Sequence, residues 1–185
     1  MIRRPPRSTL SSSSAASDVY KRQTQAGLFL SEGADILDIG GESTRPGSKP
    51  VSAQEEAERV LPVIEAILTT FPEVRISIDT YKPEVARKAL EAGAAWVNDI
   101  WGLRANPELG DVVVEFKVPI ILMHNRLKPG SAELEARLGG RYVGTEYDDL
   151  IGDIRQDLLG SIALAHRKGI PDKSIILDPG IGFGK

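Results

Sequence analysis

The sequence predicts an α/β fold built on a parallel β-sheet, and three observations support this. Short apolar or β-branched runs alternate along the chain with longer segments of helical periodicity. The helical segments between the runs are the kind of connection that parallel strands need. Each run also ends on a polar side chain. The alternation fits both a doubly wound sheet and a (β/α) barrel, and the polar strand ends favour the barrel, whose strand ends open on one face.

Five strands are predicted from the apolar runs. They cover residues 36–40, 75–79, 95–100, 118–123 and 174–178. The first predicted helix covers residues 24–31. The second opens at Ser52 with a capping box, since Glu55 stands three residues later. Pro62 lies within the apolar periodicity of this helix and predicts a kink in a continuous helix, because proline removes one amide donor.

Three further helices follow in the same alternation. The first runs from Pro83, a favourable first-turn residue, to residue 91 and is closed by Gly93. A short one covers residues 107–116. The longest covers residues 147–168 and has Gly169 as its C-cap.

Composition excludes several classes of function. At 185 residues the chain is short for a complete α/β barrel, for which about 250 residues is typical. The absence of cysteine excludes disulfides, thiolate catalysis and cysteine-bound metal, and it is compatible with a cytoplasmic location. No apolar run is long enough to span a membrane. Beyond residue 23 the chain carries 18 basic and 25 acidic residues, net −7, which argues against a nucleic-acid partner.

Residues 1–23 differ in composition from the rest of the chain. They contain paired prolines, a serine run and no apolar periodicity, so we expect this segment to be disordered or non-native to the fold. Its arginine and serine content also fits an organelle transit peptide. We prefer the interpretation that the segment is foreign to the fold. Residues 24–185 form the predicted domain.

Polar side chains stand at or just beyond the end of every predicted strand. In chain order they are Asp38 and Glu42, Asp79, Asn98 and Asp99, His124 and Asn125, and Asp178. Any one of them alone could cap the following helix, because Asp and Asn are preferred N-caps. Together they would ring one mouth with carboxylates, amides and an imidazole. Such a ring suits a flat, nitrogen-rich heterocycle, whose amino group and ring N–H pair with carboxylate and amide oxygens.

Four motifs carry a resemblance to a known family. They are GADILDIGGESTRPGSKPVS, SIDTYKPEVARKALEAGAAWVNDIWG, PIILMHNR and SIILDPGIGFGK, in that order. In these motifs residues 24–185 closely resemble the dihydropteroate synthases of folate biosynthesis. The resemblance implies a partial (β/α)8 TIM barrel, about strands 2 to 6, that lacks the first strand and the last two. It implies a transferase that joins 6-hydroxymethyl-7,8-dihydropterin diphosphate to p-aminobenzoate, giving 7,8-dihydropteroate and diphosphate.

The resemblance also assigns residues. It places Asp79, Asn98 and Asp178 on the pterin, with Asp178 taking the amino group and the adjacent ring N–H. It places Met123 against the pterin ring and Ile100 in the same slot.

The family's second substrate, p-aminobenzoate, lies under a closing loop. The resemblance assigns Thr44, Arg45 and Pro46 to this loop and packs Phe183 against the benzoate ring. Arg45 and Asp79 are the predicted catalytic residues. A guanidinium delivered by the loop can stabilise the departing diphosphate, and loop closure excludes water. From the residues alone, Arg45 would be interpreted as a solvated loop residue.

Several expectations follow from the family and from departures from it. The family binds Mg²⁺ with the diphosphate, but its asparagine ligand is absent from this chain, and no metal-ligating residue is predicted here. Members are sulfonamide targets and homodimers, although dimerisation is not expected of this chain. We expect the fragment itself to be inactive, because the family's later lysine, arginine and histidine are missing.

Two alternatives stay open at this point. The first is a pterin-binding methyltransferase of the same superfamily, which would need a corrinoid partner. The second is a non-catalytic barrel fragment. His124 is expected to be a structural hydrogen-bond partner more often than a ligand contact, and His166 is expected at the surface. The GIGFGK end lacks the spacing of a phosphate-binding loop.

Overall fold

The part of the chain that the structure describes forms a five-stranded parallel sheet covered by a layer of helices. The structure is a computed structural model, and it describes residues 15–43, 50–125, 147–181 and 183, with side chains from residue 18 onward. The helices are α1 (Ala15–Ser31), α2 (Ala53–Thr70), α3 (Pro83–Glu91), α4 (Leu109–Phe116) and α5 (Leu150–Lys168). The strands are β1 (Ile36–Ile39), β2 (Arg75–Asp79), β3 (Trp96–Asp99), β4 (Ile120–Met123) and β5 (Ile175–Asp178), and a 3₁₀ turn covers Asp172–Ser174.

The strand order distinguishes the two architectures that the sequence left open. The strands lie in the order β1-β2-β3-β4-β5, and every neighbouring pair is parallel. A doubly wound sheet reverses its order at a switch point, whereas barrel strands follow one another around the barrel. The unbroken order therefore agrees with the predicted arc of a (β/α)8 barrel.

Apolar packing joins the helices to one face of the sheet. Alternate strand residues point toward the helices, including Ile76 and Ile78 of β2 and Leu122 of β4, all fully buried. Val60 and Ile64 of α2 belong to the same core cluster. The intervening residues of each strand therefore face the barrel interior. Every predicted pterin contact that lies on a strand is one of these residues.

Helix α2 has the N-terminal cap and the internal proline that the sequence predicted. The Ser52 hydroxyl accepts a hydrogen bond from the Glu55 amide at 3.2 Å, which satisfies one free donor of the first turn. The Glu55 carboxylate pairs with Arg59 at 2.5 Å. The helix continues through Pro62, as predicted. At the other end of the chain, Gly169 closes α5 with a φ of 90°.

The start of α1 differs from the prediction. This helix begins at Ala15 and not at residue 24, so the predicted start of the helix is wrong. The Gln23 amide donates hydrogen bonds to Ala66 and Thr70 of α2, and Ala26 is buried in the core. These contacts attach α1 to α2 and to the core. The origin of residues 1–23 stays a prediction.

Candidate functional site

The carboxyl ends of the strands bring together the predicted polar residues. Asp79 and Asn98 are register partners on β2 and β3, and Asp178 is the register partner of Met123 at the ends of β5 and β4. Register partners on parallel strands face the same side of a sheet. The three predicted pterin-binding polar residues therefore share the interior face at one end of the sheet.

Asp38, which the sequence predicted among the polar strand ends, belongs to the same set, although no pterin contact was assigned to it. The Asn98 side-chain amide donates a hydrogen bond to the Asp38 carboxylate, with 2.9 Å between Nδ2 and Oδ2. Asn98 is buried and Asp38 is exposed. Because Nδ2 of Asn98 faces Asp38, the carbonyl oxygen of the same amide points away from Asp38. Asp38 therefore fixes the orientation of the amide. The polar end of β1 was the available sequence signal.

Asp178 is held by the backbone on both sides. Its Oδ1 accepts a hydrogen bond from the Gly180 amide at 2.7 Å, and its carbonyl accepts one from the His124 amide at 2.8 Å. These bonds fix the turn after β5 and the direction of the carboxylate. An ionised carboxylate held in this way is suited to accept N–H groups of a heterocycle.

An apolar cluster lies beside these polar ends. It contains Ile100, Trp101, Met123 and Phe183, with Tyr81 packed against it. The structure thus brings together all three residues that were expected to contact rings: Ile100, Met123 and Phe183. Trp101 and Tyr81 were missed, because each follows a strand end in the chain and gives no periodic signal. Thr44, Arg45 and Pro46 lie outside the described residues.

Asp99 does not join the predicted ring at the mouth. It follows Asn98 in β3 and so points to the opposite face, and its carboxylate accepts the amides of Trp101 at 2.8 Å and Leu103 at 2.6 Å. Burial raises the pKa of Asp99 to about 6, although the two amide bonds and Arg104 partly oppose the shift. Asp99 therefore shapes the loop after β3. It does not cap the following helix α4, which begins at Leu109.

The two histidines have structural surroundings. His124 is buried, and its Nε2 lies 3.0 Å from Oδ2 of Asp157 on α5. This contact ties the end of β4 to the helix layer, as expected of a structural partner. His166 is exposed and lies 2.7 Å from Asp172.

A buried charge cluster lies beside the site at the end of β2, and we call it the Lys82 clamp. It consists of Lys82, Glu42, Glu56 and the carbonyl of Val51. The Lys82 ammonium donates hydrogen bonds to the Glu56 carboxylate and the Val51 carbonyl, both at 2.6 Å, and to the Glu42 carboxylate. Burial alone would lower the pKa of Lys82, but the bonds to Glu42 and Glu56 outweigh it and raise the pKa above its ordinary value. Lys82 therefore remains charged.

The described residues offer a metal ion single carboxylates and not a converging cage. In the described part of the chain, no group of three or more His, Cys, Asp or Glu side chains converges on one point. Mg²⁺ is commonly held by one or two carboxylates together with substrate phosphates.

The fold defines an α/β protein of the barrel type, with polar side chains and an apolar cluster gathered at the carboxyl ends of its strands. The chain belongs to the pterin binding enzyme family, whose model matches residues 6–185. The dihydropteroate synthase of Clostridium beijerinckii is 47% identical over 157 residues, which cover 85% of this chain and 52% of that protein. The chain thus spans about half the length of the curated relatives it matches.

Two solved structures support the same relationship. The dihydropteroate synthase of Xanthomonas albilineans with 4-aminobenzoic acid is 41% identical, with a TM-score of 0.73, over 92% of this chain and 55% of that one. The dihydropteroate synthase of Clostridium difficile, solved in the presence of pteroic acid, is 38% identical, with a TM-score of 0.69, at the same coverage. No helix in the described ranges has the length and apolar character needed to cross a membrane.

Proposed function

We propose that this chain supplies the pterin-binding part of a dihydropteroate synthase. That enzyme joins 6-hydroxymethyl-7,8-dihydropterin diphosphate to p-aminobenzoate and releases diphosphate. The observation that carries the proposal is the convergence of Asp79, Asn98 and Asp178 on one interior face beside Met123. The names of the relatives favour the synthase over the methyltransferase alternative.

The polar residues match the edge of a pterin. Asp178 would accept the exocyclic amino group and the adjacent ring N–H, because a carboxylate accepts through both oxygens. Asn98, oriented by Asp38, offers both a carbonyl and an amide, and Asp79 offers a second carboxylate. Ile100 and Met123 would contact the ring. Each pairing left unmet in a buried slot would cost about 1–3 kcal/mol, which selects the correct heterocycle.

The second half of the reaction is proposed for the loop and the apolar cluster. Departure of diphosphate builds negative charge, and the Arg45 guanidinium would stabilise it through a forked pair of N–H donors. Thr44 and Pro46 would cover the arylamine, and Phe183 would pack on its ring. Asp79 is the proposed catalytic carboxylate, because positive charge grows on the pterin as the leaving group departs.

The finer properties of the family extend the proposal. Mg²⁺ would enter with the diphosphate and not through a preformed protein site. The p-aminobenzoate site would be the target of sulfonamides. We propose a cytoplasmic protein whose partners are these small molecules and not nucleic acid, and we propose no dimerisation for this chain.

Calorimetry with a pterin analogue tests the site. The Asp178→Asn variant keeps one carbonyl acceptor for Gly180 but loses the charge and one acceptor, so we expect pterin affinity to fall at least about tenfold. The matched control is Asp172→Asn, which changes an exposed aspartate in the turn before β5, at the other end of that strand from Asp178, and should leave affinity unchanged. Equal heats from the parent chain and Asp178→Asn, or no heat from either, would contradict the assignment.

The 185-residue chain on its own is expected to form no dihydropteroate. In the described part of the chain, β1 and β5 are edge strands. The described sheet is therefore an open arc that borders the site on one side only. The departing diphosphate would then remain exposed to water, which competes with the arylamine. Product formation from both substrates would be measured beside the Clostridium beijerinckii relative. Turnover comparable to that of the relative would show the prediction to be wrong.

A further inference from the structure

The Lys82 clamp joins two points of the chain that lie on either side of one connection. Glu42 follows β1, and Val51 precedes α2. Lys82 lies after β2, three positions beyond Asp79, and its ammonium bonds to both. One side chain therefore holds the two ends of the connection between β1 and α2, and residues 44–49 lie between those ends.

The clamp is largely buried and joins one ammonium to two carboxyl groups. The Glu56 side chain is 1% exposed and the Lys82 side chain 12% exposed. One ammonium serves two carboxylates, and one oxygen of Glu56, Oε1, has no hydrogen-bond partner. Without Lys82, two carboxylates would face each other at a buried position with no counter-charge. Glu42 would then move to solvent, and the first end of the connection would be released.

Close packing fixes the position of the clamped ends relative to the site. A Cβ atom on Gly40 would lie 3.2 Å from the Cβ of Asp79, and one on Gly41 would lie 2.9 Å from the Glu56 carbonyl. The Arg59 guanidinium also donates a hydrogen bond to the Gly41 carbonyl at 2.8 Å. The chain just before Glu42 is therefore pressed between α2 and the proposed pterin carboxylate on β2.

Tyr81 connects the clamp to the apolar cluster. Its hydroxyl lies 3.5 Å from the Glu42 carboxylate, and the Lys82 ammonium lies 5.1 Å from the centre of its ring. The ring itself packs against the cluster of Ile100, Trp101, Met123 and Phe183. A displacement of Glu42 would therefore disturb Tyr81 and, through Tyr81, the apolar cluster of the site.

We propose that Lys82 is a positioning residue that holds both ends of the connection between β1 and α2 against the carboxyl end of β2. It acts through Glu42 and Val51. The proposal rests on the proposed function, because Asp79, the strand-end carboxylate three positions before Lys82, is one of the proposed pterin contacts.

Backbone ¹⁵N relaxation measured residue by residue by NMR on the full 185-residue chain tests this role. In Lys82→Met we expect the order parameters of Gly41, Glu42 and Val51 to fall from about 0.85, the value of rigid backbone, to below about 0.6. The order parameters of the core strands, such as those of Val97 and Leu122, should stay at about 0.85. The matched control is Lys88→Met, which removes an exposed lysine of the neighbouring helix α3 and should change none of these order parameters.

Two further variants keep the test decisive. Glu42→Gln removes one link but leaves the pair of Lys82 and Glu56 in place, so it should lower the order parameters of Gly41 and Glu42 more than that of Val51, and it serves where Lys82→Met does not fold. Lys82→Arg retains the charge and should restore at least half of the lost order. Unchanged order parameters at the two ends, or a uniform fall in ends and core alike, would overturn the proposal.

The outcome is separable from that of the proposed function. Pterin calorimetry on the parent chain and Asp178→Asn decides the pterin site, while the order parameters of residues 41, 42 and 51 decide the role of Lys82. If pterin does not bind but the Lys82 variants behave as expected, the proposed function is refuted and the positioning role stands.

Discussion

Replacing Ile78 by alanine is expected to lower the free energy of unfolding by about 2–5 kcal/mol. Ile78 is fully buried in β2 and is the register partner of Ile39 on β1 and Val97 on β3. The truncated side chain would leave a cavity between the sheet and its helices that close-packed neighbours fill only in part. Urea unfolding followed by the fluorescence of Trp96 and Trp101 measures the effect.

The control for this variant is Ile151→Ala on α5. Ile151 is 72% exposed, so its replacement should change the free energy of unfolding by no more than about 0.5 kcal/mol. The milder Ile78→Val should cost about 0.5–1.5 kcal/mol. Similar losses from Ile78→Ala and Ile151→Ala would mean that the sheet and helices do not share the packed core described here.

The second large effect is a dependence of stability on pH that comes from Asp99. The pKa of this buried carboxyl is about 6 in the folded chain, against an ordinary value of 3.8, so the folded state binds the proton more tightly. Stability from this group is therefore fully present below pH 3.8 and is lost as pH rises through about 6. The charged form costs about 3 kcal/mol at pH 7, and lowering the pH from 7 to 4.5 should recover about 2 kcal/mol of it.

Comparison with Asp99→Asn isolates this contribution from other titrating groups. Asparagine does not titrate, so the difference in unfolding free energy between parent and variant should shift by about 2 kcal/mol between pH 7 and pH 4.5, in favour of the parent at low pH. Asn also loses one of the two acceptors for the amides of Trp101 and Leu103, which offsets part of its gain at pH 7. Asp35→Asn, an exposed aspartate, serves as the control. Parallel pH profiles for parent and Asp99→Asn would contradict the prediction.

Much of the fold was predictable because it depends on short-range patterns. Alternation of apolar runs with helical segments located all five strands, and β2 and α3 have the predicted bounds. The capping of α2 by Ser52 and the closure of α5 by Gly169 were also predicted, since caps act within one turn of a helix. The start of α1 was not, because its order comes from contacts of Gln23 and Ala26 with distant residues.

For the candidate site, the sequence by itself determined which groups stand at the strand ends, since Asp79, Asn98 and Asp178 each close an apolar run. Only the tertiary structure decided which of them share a face. Asn98 and Asp99 are adjacent in the chain, yet the alternation of a strand sends one to Asp38 and the other to the loop after β3. The Lys82 clamp is likewise invisible in the sequence, because it joins residues separated by 26 to 40 positions. Local propensities act over a few residues, whereas these bonds exist only after the chain has packed.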